Sequence, residues 1–572
     1  MLGEYAECDR HFGVRVAGPR VGLVCGRVYP SVCGVPGWCL PDSSRTVFAG
    51  VTSMSALKIP TPVPDDSDSI ENQKEEPSLK STTLRAGAWS MGGFAVGNVL
   101  RLASNIILAR LLVDDIGALG LMALVTTFLQ GLRMFSDVGL NLGVVQHKRG
   151  GERAFVDTAW SLQAIRGIVL WGACWVFAAP FARFYGEPVL MQLIPITGLV
   201  TMFNGFGAPG LLLARRNMDL KKLTFVELGS QVSGLVVMMT WAFASPSVWA
   251  LVAGSVTGSA FRLVASHLIF REHRAHFGWD KAAASALLRF GGWIFVATTL
   301  TFASTQIDRL AFGKVFNVWS LGIFGVAATF SMVPTQAVLR LGNQVVFPAY
   351  AKVVNRGDDL SRVLDRVRLP VLTGAGLAAS GLYATGPWLV ELLYPTEFRA
   401  AGWMLQLMSV GMLARVLSET SKAALLAIGH SREVALGQAM KIVGFAIAAP
   451  IGYHLGGMVG FVAAIPIAEG CRYLAVVLLA TWRGLRVLPG DVETFWMAVL
   501  GGVLGMVTGE AVVHAMPDGK LGLAVGFVCA GVVSTLPWIR FLRRSVRELR
   551  RDVRKGNGPV LMDGPDSADG RG

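Results

Sequence analysis

From Leu84 onward the chain alternates between apolar runs of twenty residues or more and short polar turns. The first pair reads LRAGAWSMGGFAVGNVLRLASNIILARLL and ALGLMALVTTFLQGLRMFSDVGLNLGVV, joined by VDDIG. Each exceeds the roughly 20 residues that carry a helix across about 30 Å of hydrocarbon. Further runs fall at about 158–181, 189–213, 224–244, 248–270, 290–312 and 319–342. The rest fall at about 369–392, 401–427, 434–455, 457–481, 493–515 and 520–541. The pattern predicts an all-α polytopic membrane protein of about 14 transmembrane helices.

Loop charge orients these spans. The first turn carries Asp114 and Asp115, whereas the next connection carries Lys148, Arg149 and Arg153. Basic residues recur in every second loop: Arg215, Arg216, Lys221 and Lys222; Arg271, Arg274, Lys281 and Arg289; Lys352, Arg356, Arg362, Arg366 and Arg368; Arg432; Arg483 and Arg486. The alternate loops hold only Arg183, Lys314, Arg399 and Lys520. The positive-inside bias therefore puts the Asp114–Asp115 end outside and both termini in the cytoplasm.

Composition agrees with a membrane bundle, at 53% apolar and 16% charged, with 67 glycines that suit close helix packing. The net charge of +14 lies in the short loops and is accounted for by topology, not by nucleic-acid binding. Residues 1–84 read as a disordered or dispensable extension, with 1–53 dispensable as a unit. Four of the seven cysteines (Cys8, Cys25, Cys33 and Cys39) fall there, at spacings of no familiar metal site. The basic tail RRSVRELRRDVRK follows the last span and places arginines at spacings suited to anionic lipid.

An internal repeat is visible. GGWIFVATTLTFASTQIDRLAFG with KVFNVWSLGIFG echoes GAWSMGGF and ILARLLVDDIGALGL: a Gly-x-Trp or Gly-Trp start, an Arg-Leu near the outer end, a polar turn, then Leu-Gly-aliphatic opening the next helix. Leu132-Arg133 likewise matches Leu339-Arg340. Six helices separate the copies, so the repeat is parallel. The expected division is a first half at 85–285, a second half at 286–485, a helix pair at 486–541 and a tail at 542–572.

Several ordered stretches carry a family likeness: ILARLLVDDIGALGL, FYGEP, LLARRNMDLKKLTFVEL, VWALVAG, RFGGWIFVATTLTFASTQIDRLAFGKVFNVWSLGIFGVA and QVVFPAYAKV. Across about residues 85–485 the chain resembles the polysaccharide flippases of the multidrug/oligosaccharidyl-lipid/polysaccharide exporter superfamily. The resemblance implies a fourteen-helix transporter of the bacterial cell inner membrane, moving undecaprenyl-diphosphate-linked oligosaccharide to the periplasmic leaflet for exopolysaccharide or lipopolysaccharide assembly. It implies membrane lipids and a polysaccharide polymerase or glycosyltransferase as partners.

Ionisable groups within spans are costly in hydrocarbon and tend to face a cavity. The cations are Arg101, Arg133, Arg166, Arg262, Arg340, Arg415, Lys422, Lys441 and Arg472. A guanidinium offers a planar fork of donors to phosphate oxygens. The candidate substrate-binding residues are therefore Arg101, Asn105, Arg133, Arg166, Arg262, Arg340 and Arg415, with Arg101 the deepest. The competing account is snorkelling toward the interface. Helical spacing pairs Arg133 with Asp137, Arg415 with Glu419 and Glu469 with Arg472, either for neutralisation or for coupling to H+ or Na+. Asp137, Asp308, Glu419 and Glu469 are the coupling or gating candidates, with Pro334 as a hinge.

No Gly-rich phosphate loop, paired metal ligands or nucleophile elbow appears, so neither an enzyme nor a cofactor is expected. A lipid II-type peptidoglycan precursor flippase and a cation-coupled drug exporter are the alternatives within transporters.

Overall fold

The polar turn VDDIG bends the chain back because Asp115 Oδ1 accepts the Ala118 N–H at 3.2 Å, capping the next helix. A computed structural model of the protein describes residues 79–543, apart from positions 138, 141, 142, 145, 146, 148, 218, 273, 274, 343–345, 347–349, 351, 352, 355–359, 517, 518 and 540. The expectations for residues 1–53, the four N-terminal cysteines and most of the basic tail lie outside the described residues.

The described chain is helical. In order come α1 (Leu79–Leu111), α2 (Gly117–Phe135), α3 (Arg153–Tyr185), α4 (Leu190–Gly205), α5 (Gly210–Arg216), α6 (Leu220–Ala244) and α7 (Val248–Ile269). Then follow α8 (Lys281–Val315), α9 (Val318–Leu341), α10 (Leu360–Leu393), α11 (Ala400–Ala427), α12 (Ser431–Trp482), α13 (Leu488–Ala515) and α14 (Gly519–Thr535). Among the described residues ten helices are long and apolar enough to cross a membrane, or eleven if α4 and α5, bent by 63°, form one span.

α12 is not one rod. At Gly456 and Gly457 the backbone leaves the helical region, and Gly457 has φ +54°. Beyond this turn the two arms run antiparallel, with Gly452 and Gly460 so close that a Cβ on Gly452 would fall 2.2 Å from the Gly460 carbonyl. Glycine supplies both the left-handed turn and the close approach.

The packing repeats. α1 packs on α6 as α8 packs on α12, α3 on α4 as α10 on α11, and α6 on α7 as the two arms of α12 on each other. α13 and α14 add to the outside of α10. The repeats meet where α2 crosses α9. The shared Leu-Gly-aliphatic motif makes that crossing: a Cβ on Gly120 would lie 1.9 Å from the Val318 carbonyl, and one on Gly322 2.6 Å from that of Ile116. At the same end Arg110 Nε donates to the Leu393 carbonyl at 3.1 Å and Tyr185 OH to that of Leu310 at 3.1 Å. Lys314 Nζ donates to the Phe184 carbonyl. The repeats are thus closed against each other at the Asp114–Asp115 end.

One loop cation of the sequence reading belongs inside. Arg368 is 1% exposed within α10 and meets Asp491 of α13, 0% exposed, at 2.6 Å. Thr420 and Ser421 of α11 and the Val487 carbonyl accept its remaining N–H groups, and Tyr473 OH reaches Asp491 Oδ2 at 3.3 Å. The counter-ion supplied from 123 residues away, which local sequence does not show, is what draws Arg368 in. Replacing Arg368 by Ala strips the buried carboxylate of that cation and should lower stability by about 3–5 kcal/mol. The double replacement Arg368→Met with Asp491→Leu should recover most of the loss in thermal unfolding of the detergent-solubilised protein.

Candidate functional site

The break between α4 and α5 falls at Gly205–Pro209, where proline cannot continue the ladder of hydrogen bonds. Backbone groups at the break find side-chain partners. Gln163 Nε2 donates to Asn204 O at 3.0 Å and Trp160 Nε1 to Gly207 O at 2.9 Å. His267 Nε2 lies 3.0 Å from Phe206 O, and Ser266 Oγ accepts the Ala208 N–H at 3.0 Å. Donors on α3 and α7 therefore hold the break open as a fixed feature. Irregular backbone at membrane depth persists where it lines a cavity.

That cavity, about 220 Å³, is lined by Arg133 of α2, Gln163 and Arg166 of α3, Asn204 beside the break, Arg215 of α5 and Arg262 of α7. Arg166 Nε donates to Ser136 Oγ at 2.8 Å, and its NH2 donates to the Arg133 carbonyl at 2.5 Å. Arg262 NH1 reaches Asn204 Oδ1 at 3.5 Å. Polar side chains and carbonyls orient guanidinium groups that like-charge repulsion would otherwise spread apart.

A second cluster lies in the other repeat. Glu469 Oε1 meets Lys441 at 2.8 Å, and its Oε2 meets Arg472 Nε at 3.0 Å. Arg472 NH1 continues to Glu419 at 3.2 Å, and Glu419 to Lys422 at 3.1 Å. Lys441, Glu469 and Arg472 are all buried. Arg415 stands beside the chain: its carbonyl accepts from Arg472 at 3.1 Å, while its buried Nε has no hydrogen-bond partner among the described residues.

Between the repeats is a further cavity of about 220 Å³, bordered by Asn105, Thr126, Arg309, Gly322, Gly325 and Thr329 among others.

The sequence-level candidates thus separate. Arg133, Arg166 and Arg262 share the first cavity; Arg415, Glu419 and Glu469 share the second cluster; Asn105 borders the third space. Arg101 sits on an exposed face of α1, and the charge acting on it is the like charge of Arg340. Arg340 itself lies over the Phe94 ring at 4.1 Å. Two expected pairs are replaced by others. Asp137 falls past the end of α2, so it accepts the Gly139 N–H at 3.0 Å and lies 4.0 Å from Arg166, not on the face of Arg133. Glu419 turns to Lys422 and Arg472 instead of Arg415. Pro334 lies within an unbroken α9, and Asp308 Oδ1 accepts the Arg309 N–H at 2.9 Å. Arg215, Gln163 and Asn204 were missed; Pro209 and the four cations Arg215 to Lys222 mark the break near Asn204 and Arg215, and no local signal marks Gln163.

A bundle of ten or more helices long and apolar enough to cross a membrane defines a polytopic membrane protein. Residues 107–401, just over half of the chain, match a family described as polysaccharide biosynthesis protein, and the chain belongs to that family. Over 358 residues it is 21% identical to the lipopolysaccharide biosynthesis protein WzxC of Escherichia coli (strain K12), covering 61% of this chain and 71% of that one. It is 24% identical over 287 residues to the succinoglycan biosynthesis transport protein ExoT of Rhizobium meliloti (strain 1021), covering 50% and 57%. The lipid II flippase MurJ, in an inward closed conformation, shares its fold with a TM-score of 0.62 at 13% identity, over 80% of this chain and 100% of that one. The protein is a multi-pass membrane protein of that family.

The glycine crossing sets a test of the closed end. Gly120→Leu cannot keep its approach to Val318 and should part the repeats there. A cysteine at Asn105 should then react with impermeant thiol reagents at least about tenfold faster than in the parent, the change that about 1.4 kcal/mol of shifted equilibrium produces.

Proposed function

We propose that this protein is an inner-membrane flippase that moves undecaprenyl-diphosphate-linked oligosaccharide repeat units to the periplasmic leaflet. The observation that carries the reading is the chamber of Arg133, Arg166, Arg215 and Arg262 beside the broken α4–α5. Three guanidinium groups held by polar neighbours, with the exposed Arg215 beside them, match a diphosphate far better than a sugar or a cation. The names of WzxC and ExoT, in lipopolysaccharide and succinoglycan biosynthesis, support a lipid-linked saccharide as cargo.

The chamber lies toward the ends of the helices that lead into the basic loops. With those loops in the cytoplasm, it receives substrate on the side where it is made. The same orientation puts the closed glycine crossing on the periplasmic side. Counting α8, α10, both arms of α12 and the bent α4–α5 as spans gives fourteen crossings, divided as 85–285, 286–485 and 486–541. Glu419 and Glu469 would couple to H+ or Na+ by exchanging Lys422 or Lys441 for the ion, with Pro334 and Asp308 serving hinge and outer gate. A polymerase or glycosyltransferase would take or supply the cargo.

Export of polysaccharide by cells carrying Arg166→Gln or Arg262→Gln should fall about tenfold or more at unchanged membrane levels of the protein, since a charged hydrogen bond to phosphate is worth about 1.5–3 kcal/mol. Lys at either position should restore only part. Arg101→Ala, on the exposed face of α1, should cost less. Full export by the double Arg166→Gln, Arg262→Gln variant would remove the chamber from the mechanism. A topology reporter inserted between Gly456 and Gly457 should face the periplasm and one after Arg483 the cytoplasm. The same side for both would reduce the count.

A further inference from the structure

Beside the α2–α9 crossing the repeats touch again, and the same kind of contact is made twice. α3 of the first repeat ends in Phe184-Tyr185, and α10 of the second ends at Leu393, just before Tyr394. The last carbonyls of a helix have no partner within it and form the negative end of its dipole. At the end of α10 the Leu393 carbonyl accepts from Arg110 Nε of α1 at 3.1 Å. At the end of α3 the Phe184 carbonyl accepts from Lys314 Nζ of α8, which also lies 4.5 Å from the centroid of the Phe184 ring. Each helix end is thus capped by a cation of the opposite repeat. In both cases the accepting carbonyl is the one before the tyrosine.

The two cations are not copies of one residue. Arg110 lies ten residues before Gly120 of the Leu-Gly motif, and Lys314 lies eight before Gly322. Different side chains from different positions reach corresponding carbonyls, so what recurs is the contact. Tyr185 strengthens the α3 side by donating its OH to Leu310 O at 3.1 Å. A neighbouring outer cation behaves otherwise: Arg399 meets Glu391 of its own repeat at 3.9 Å. The glycine crossing closes this end by shape, whereas the two caps add an attraction that acts only from repeat to repeat. Both cations are solvent-exposed, so that attraction is modest and screened by salt, which suits a contact that must break and re-form. We propose that Arg110 and Lys314 are positioning residues for the release step: their reciprocal capping of α10 and α3 holds the outer end shut, and parting of the repeats there must break both caps together. The direction of release rests on the flippase reading above. The clasp adds the residues that set how often that end opens.

The test uses the full chain in lipid nanodiscs, with the native cysteines replaced and spin labels on cysteines introduced by Asp114→Cys and Glu397→Cys, two exposed turn positions in opposite repeats. Double electron–electron resonance should give one dominant short distance in the parent. Arg110→Gln with Lys314→Gln should raise the share of a longer distance about tenfold, and either change alone about threefold. Arg110→Lys with Lys314→Arg keeps a cation at each helix end and should keep the parent's distribution. Arg399→Gln removes an outer cation that caps nothing in the opposite repeat, and it should leave the distances unchanged. High salt should move the parent toward the double Gln variant and leave that variant where it is. The parent's distribution in the double Gln variant, or an equal shift from Arg399→Gln, would overturn the clasp. Where the double variant fails to fold, the two single Gln variants decide, and the parent's distribution in both overturns it equally. These distances are read without cargo. Cells lacking the protein that still export polysaccharide would therefore sink the flippase reading and leave the distances as they are.

Discussion

Charge in hydrocarbon is the constraint around which this bundle is arranged. Each ionised group within a span costs several kcal/mol unless a partner, a cavity or a ligand answers it. The protein uses all three answers in different places. Arg368 and Asp491 answer each other so completely that both are withdrawn from solvent, and with Thr420 and Tyr473 they bind α10, α11, α12 and α13 into one unit. Lys441, Glu469, Arg472, Glu419 and Lys422 form a chain of alternating sign. Arg133, Arg166, Arg215 and Arg262 face a cavity.

The break in α4–α5 shows how a sequence builds such a cavity without losing stability. A proline kink frees carbonyls, and in lipid each free carbonyl would be a liability. Trp160, Gln163 and His267 meet such carbonyls from two neighbouring helices, and Ser266 Oγ accepts the Ala208 N–H. The backbone groups at the break are thus satisfied by protein, while Arg166 and Arg262 spend some of their N–H groups on Ser136, the Arg133 carbonyl and Asn204. The seam of α2 with α9 combines backbone-to-backbone glycine contact and a few terminal hydrogen bonds with buried apolar side chains such as Leu124, Val125, Leu321 and Phe324.

Hydropathy and loop charge made the helical fold legible, and the Leu-Gly-aliphatic motif of the repeat proved to be the contact between the copies. The turn inside α12 was legible too, because Gly456 and Gly457 interrupt an otherwise continuous apolar run. Partners across the bundle were not. Local spacing proposed Arg133 with Asp137, but Ser136 and Asp137 lie past the last helical turn, where i, i+4 geometry no longer holds. Arg415 and Glu419 do share a helix, yet Arg472 from the adjacent arm of α12 offers Glu419 a shorter approach. Arg368 was placed with the loops because a cation near a span end reads the same whether it snorkels or buries. Asp491, far along the chain, decides it.

The balance of charge bears on what such a transporter can carry. In the first repeat Arg133, Arg166, Arg215 and Arg262 are acted on by two carboxylates, Asp137 and Glu227. In the second repeat Arg415, Lys422, Lys441 and Arg472 surround two carboxylates, Glu419 and Glu469. Four cations to two carboxylates leaves a surplus of two positive charges in each repeat. A cationic drug moving through the bundle would meet repulsion from both sides, at a depth where water screens little. An anionic headgroup would be attracted from both sides. The same surplus makes the resting bundle costly, so an anion that enters stabilises the fold as well as occupying it. Binding and conformational change then draw on one electrostatic term. That linkage is what an alternating-access carrier of an anion needs.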